Sequence, residues 1–101
     1  MEKVSVKFPH TDYSESTVLL IQQKASSLFN KYSKFLENID WHLSLEKDII
    51  HSKIIIKTKQ ENFIIEEKSK VVSSNISKAL RKINQHLKKI KDANDGIHKN
   101  Y

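Results

Sequence analysis

The chain has 101 residues, 38% of them hydrophobic, and 18 Lys and Arg against 12 Asp and Glu give a formal charge of +6 with His neutral. That length fits one domain with room for little more than one layer of helices on one sheet. The absence of Cys excludes disulfides, thiolate metal sites and a cysteine nucleophile. No apolar run approaches the roughly 18 residues that cross a membrane, and Met1 to His10 lacks the apolar stretch of a signal peptide, so a cytoplasmic location is expected.

With one Gly and one Pro, the turns fall to Asn, Asp, Lys and Gln, and the main elements should be uninterrupted. Val4, Val6 and Phe8 alternate with polar residues as a half-buried strand that Pro9 stops. Asp12 or Ser14 caps the following helix, whose stripe runs Val18, Ile21, Ala25, Leu28, Phe29, Tyr32 and Leu36. Lys24, Lys31 and Lys34 lie across from it, and Leu19 and Leu20 fall off the stripe. After Asn38 the period changes to two: Ile39, Trp41, Leu43 and Leu45 alternate with Asp40, His42, Ser44 and Glu46. Lys47 and Asp48 connect to a β-branched run from Ile50 to Thr58, and a turn at Gln60 to Asn62 leads to a third strand at Phe63 to Ile65. Three successive strands with short connections read as an antiparallel meander. Val72, Ile76, Ala79, Ile83, Leu87 and Ile90 then mark a long helix, with Leu80 at the edge of its stripe and Ser69, Ser73 or Ser74 as candidate caps. The helix is expected to end near Asp92, leaving residues 93–101 as a short flexible tail beyond a single domain at residues 1–92. The predicted fold class is α+β, in the order β-α-β-β-β-α, with two helices on one face of a four-stranded sheet.

The outer face of the last helix carries the strongest functional signal. Between Ser77 and Lys91 it holds Lys78, Arg81, Lys82, Lys88, Lys89 and Lys91 and no acidic residue. At about 100° per residue, Lys78, Lys82 and Lys89 form one row with Gln85 between them, and Arg81 and Lys88 form the next. A face kept for helix stability alone would mix signs, because like charges four apart repel by about 0.2–0.5 kcal/mol per pair. A polyanion would remove that cost; the plainer alternative is a solvated Lys-rich face. Arg81 is the only Arg, so backbone and shape recognition fits better than bidentate reading of bases.

Other chemistry finds little support. The five histidines are scattered without an i,i+4 pair, so no metal site is expected. His86 sits within the basic helix, where it can touch a phosphate or base or simply pack at the surface. Trp41 and Phe63 occupy inward strand positions that suit core packing better than base stacking, and Tyr32 also reads as core. Tyr13 and Tyr101 have no assigned role. Glu66 and Glu67 are adjacent and face opposite sides of a strand, which excludes a carboxylate pair. A Gly-rich phosphate loop is impossible with one Gly. No enzymatic activity, cofactor or small-molecule substrate is expected. Membrane binding by the basic helix is disfavoured, because its Ile and Leu stripe is needed to cover the sheet.

Across residues 4 to 93 the order of elements and several residues resemble the ribosome hibernation promoting factor and ribosome-associated inhibitor family. The matching pieces are Ile21, Lys24, Leu28 and Tyr32 in the first helix and IDWHLSLEK from Ile39 to Lys47. The third is Lys82, Leu87, Lys89 and Lys91 before Asp92. The chain departs from the family pattern at Val71 and Ser77, where Asp is usual, and at Phe8, where Gly is common. The family's Arg-Gln pair is displaced here, as Gln85 and His86. The resemblance implies a fold related in shape to double-stranded RNA-binding domains. It also implies docking between head and body of the small ribosomal subunit, across the mRNA path and the A and P sites, which silences ribosomes in stationary phase or stress. It is to the short form, without a dimerisation domain, so a monomer when free is expected. The partners are small-subunit rRNA and the 70S ribosome. The expected rRNA-binding residues are Lys24, Lys31, Lys34, Lys78, Arg81, Lys82, Gln85, His86, Lys88, Lys89 and Lys91. A protein-interaction module and a general double-stranded RNA binder are the alternatives on the same fold.

Overall fold

A computed structural model of the chain describes residues 4–7 and 15–99, with side chains at 4, 6 and 15–93. Phe8, Pro9, His10, the candidate caps Asp12 and Ser14, Tyr13 and Tyr101 lie outside the described residues. The elements are β1 (Val4–Lys7), α1 (Glu15–Lys31), β2 (Leu36–Glu46), β3 (Ile49–Thr58), β4 (Asn62–Ser69) and α2 (Val72–Lys99). The three long strands β2, β3 and β4 form an antiparallel meander, and the four-residue β1 adds to β2 in parallel, placing Val4 opposite Ile39 and Val6 opposite Trp41.

Alternation in β2 and β3 sorts the sheet into two faces. Ile39, Trp41, Leu43, Ile50, Ile54 and Ile56 are buried toward the helices. Ile21, Ala25 and Leu28 from α1 and Ile76, Ala79, Ile83, Leu87 and Ile90 from α2 close over them. Each fully buried Ile or Leu contributes roughly 1.5–3 kcal/mol relative to exposure, so this one layer carries most of the stability. Asp40, His42, Ser44, His51, Lys53, Ile55, Lys57, Ile64, Glu66 and Lys68 face the other way, and the imidazoles of His42 and His51 are the only aromatic rings among them.

Four boundaries differ from the sequence reading. Leu36 extends the α1 stripe on paper, since it follows Tyr32 by four. The helix nevertheless stops at Lys31, a turn closes from the Tyr32 carbonyl to the Phe35 and Leu36 amides, and β2 starts at Leu36 with an irregular register before Asn38. β4 continues past Ile65 to Ser69, because Glu66 to Ser69 keep pairing with β3 although their side chains are polar. α2 continues through Lys99 rather than ending at Asp92. Asn94, Asp95 and Gly96 are weak helix formers, but each costs under about 1 kcal/mol, too little to stop a helix already nucleated over several packed turns. The α2 caps are the fourth difference: the helix starts at Val72, so Ser73 and Ser74 lie inside it and Ser69 before it, and Ser69 Oγ is buried without a hydrogen-bond partner.

The tight turns show how the chain manages without glycine. Lys47 and Asp48 both have positive φ, 50° and 66°, between paired Glu46 and Ile49. This is the two-residue hairpin geometry that favours Asn-Gly. Asp tolerates that region, whereas Lys pays a steric cost there. Replacing the pair with Asn-Gly is expected to raise stability by about 1 kcal/mol; an unchanged urea midpoint would contradict that account. At the other end, Thr58 Oγ1 accepts from the amides of Gln60 and Glu61 and donates to the Glu61 carbonyl at 2.6 Å, closing the β3–β4 turn with a side chain.

A polar cluster lies inside the core. Trp41 Nε1 donates to Ser52 Oγ at 3.0 Å, and Ser52 Oγ donates to Asn75 Oδ1. Asn75 Nδ2 donates to the carbonyls of Ile50 at 2.9 Å and Glu67 at 3.0 Å. Trp41, Ser52 and Asn75 are all fully buried, so the first turn of α2 is pinned to β2, β3 and β4 at once.

Candidate nucleic-acid interface

Lys78, Arg81, Lys82, Gln85, Lys88, Lys89 and Lys91 are all exposed on α2, as are Lys24 and Lys31 on α1 and Lys34 in the turn after it; His86 is half-buried. The structure divides these residues between two flanks. On the first, α1 and α2 are tied together through Asn84. Its Oδ1 accepts from Tyr32 Oη at 2.8 Å and from Lys31 Nζ at 3.3 Å, and Lys31 Nζ also sits 5.4 Å from the Tyr32 ring centre. Lys88 and Lys91 follow Asn84 on the same side of α2, at four and seven residues, with Arg81 just outside them. Lys31 thus meets α2 at the seam between the helices, where Arg81, Lys88 and Lys91 flank Asn84, with Lys24 two turns back on the same side of α1 and Lys34 in the turn that follows it. No ion pair to any of them is found among the described residues.

The second flank faces β4, and there the basic groups meet acids. Lys82 Nζ lies 2.8 Å from Glu67 Oε1 and donates to the Glu66 carbonyl at 3.1 Å. His86 Nε2 lies 2.6 Å from Glu61 Oε1, and its ring stacks on Phe63 with centroids 3.8 Å apart. Glu67 is mostly buried beside α2, whereas its neighbour Glu66 turns to the open sheet face, where its Oε1 lies 3.4 Å from His51 Nε2 without hydrogen-bond geometry. Lys82 and His86 are thus partly committed inside the molecule, and Lys78 and Lys89 lie between the two flanks.

The sequence reading missed Asn75, Asn84, Glu61 and Glu67. The two asparagines left a signal, since each interrupts or borders the α2 stripe where an apolar residue would be ordinary. Glu61 and Glu67 left none, because their effect depends on which strand lies under α2. Trp41 is fully buried and Tyr32 nearly so, and Phe63 is partly buried against the core, so none of them offers an open base-stacking surface.

No family model matches the sequence, and no curated protein matches it. Solved structures do match. The Protein Y N-terminal domain of Thermus thermophilus superposes with a TM-score of 0.74 over 86% of this chain and 94% of that one, at 15% identity. The chain has the Protein Y fold. A ribosomal subunit interface protein from Coxiella burnetii shares it, with a TM-score of 0.72 at 14% identity, covering 88% of this chain and 97% of that one. The shared fold covers most of the chain, and the cations described above lie on its two helices.

Proposed function

We propose that the chain is a ribosome hibernation factor. It docks on small-subunit rRNA in the mRNA and tRNA channel and blocks translation sterically under stress or in stationary phase, on the 70S ribosome as well as the free subunit. It acts in the cytoplasm as a monomer when free, through one ribosome-binding unit at residues 1–92 of double-stranded RNA-binding-domain shape, and by binding rather than chemistry. The observation that carries this reading is the cationic seam between α1 and α2, unneutralised among the described residues, on a fold shared with a protein named for the ribosomal subunit interface. Flexible lysines with one arginine suit phosphate contacts, which fix position without reading sequence.

Sucrose-gradient co-sedimentation with purified ribosomes tests it. Binding to the small subunit and 70S particles that mRNA and initiator tRNA reduce is the expected result. Equal binding to free duplex RNA would instead favour a general double-stranded RNA binder, and no binding at low salt would favour an acidic protein partner.

A further inference from the structure

We propose that the imidazole of His86 is a stacking platform for one unpaired RNA base. This inference rests on the rRNA-binding reading and names a subsite within it. The ring is held on two sides before any ligand arrives. Phe63 covers one face at 3.8 Å and 24°, and Glu61 holds Nε2 at 2.6 Å, while the side chain stays 37% exposed. A ring fixed in this way loses little rotamer freedom when a second flat group stacks on it.

The surroundings select the ligand. Lys89, three residues on and so adjacent on the helix surface, is exposed beside His86 and offers a cation to a sugar-phosphate backbone. The Glu61 carboxylate repels phosphate from the Nε2 edge, so the ring meets a base and the backbone passes on the Lys89 side. An anionic ligand with a flat π-face is a nucleotide unit, and only an unpaired base exposes that face. On the open side of the sheet the only aromatic rings among the described residues are the imidazoles of His42 and His51, and His51 is less exposed than His86.

A short single-stranded RNA carrying one 2-aminopurine is the probe. Wild type is expected to bind it and quench its fluorescence. His86→Gln, which keeps a polar partner for Glu61 but removes the ring, should lose the quenching and bind roughly 5- to 150-fold more weakly, the range set by stacking of one base. His86→Phe should restore both, and thermal melts of all three proteins separate loss of the platform from loss of the fold. Quenching by His86→Gln equal to wild type, or no quenching by wild type, overturns the proposal. Ribosome co-sedimentation is scored separately. Wild type that sediments with ribosomes but does not quench defeats the stacking site alone, whereas quenching without ribosome binding defeats the ribosomal reading alone.

Discussion

Replacing Asn75 with Leu is expected to destabilise the protein by about 3 kcal/mol or more, the largest effect of any single change outside the apolar core. The side chain donates to the Ile50 and Glu67 carbonyls and accepts from Ser52. Without it those groups stay buried and unpaired, each at about 1–3 kcal/mol. For a domain of this size the loss should lower Tm by roughly 12–20 °C. Asn75→Asp sharpens the test, because its shape is the same while an oxygen replaces the donor that faces two carbonyls. Burial and those carbonyls raise the folded-state pKa of the substituted carboxyl above its unfolded value near about 3.9. Its protonated form is therefore favoured in the fold, and stability is retained at low pH and lost as pH rises through the folded value. Measured against wild type at each pH, the deficit should grow from about pH 4 to pH 7. A deficit independent of pH, or a Tm within a few degrees of wild type for Asn75→Leu, would remove the network from the account.

Reversing Arg81 and Lys88 to Glu together should weaken ribosome binding by about 100-fold and reduce the salt dependence of what remains, since about two phosphate contacts are lost. Both side chains are exposed on α2 toward the seam and make no ion pair among the described residues, so stability should change little. Reversal of Lys82 is a less direct experiment. It sets a carboxylate against Glu67, which is mostly buried at 11% exposure, and so perturbs the fold along with the surface. Binding of the Arg81 and Lys88 double variant at wild-type strength across a salt series would show that the seam is not the contact face.

What could be read from the sequence was whatever a local period encodes. Ile39 to Leu45 alternates strictly, and the α2 stripe from Val72 to Ile90 keeps helical spacing, so both elements were legible, as was the meander. The alternation marks the buried face through Leu43, whereas Leu45 at the strand end is exposed. Leu36 was misread because it satisfies two periods, the helical step from Tyr32 and the first position of β2. The polar end of β4 went unread, since Glu66 to Ser69 are held by pairing with β3 and carry no apolar alternation. The basic residues of α2 were found without their division into two flanks. That division comes from Glu61 and Glu67, distant in sequence from Lys82 and His86 and brought to them only when β4 lies beneath the helix.

The short parallel strand β1 sets an order of assembly. From β2 onward each element packs beside the next in sequence, so the two hairpins close small loops quickly and α2 folds back onto them. Val4 must instead find Ile39 across a loop that contains all of α1, at a larger closure entropy and for only four residues of pairing. β1 is thus the strand expected to dock last and detach first, and its departure would uncover the backbone edge of β2 alongside Ile39 and Trp41.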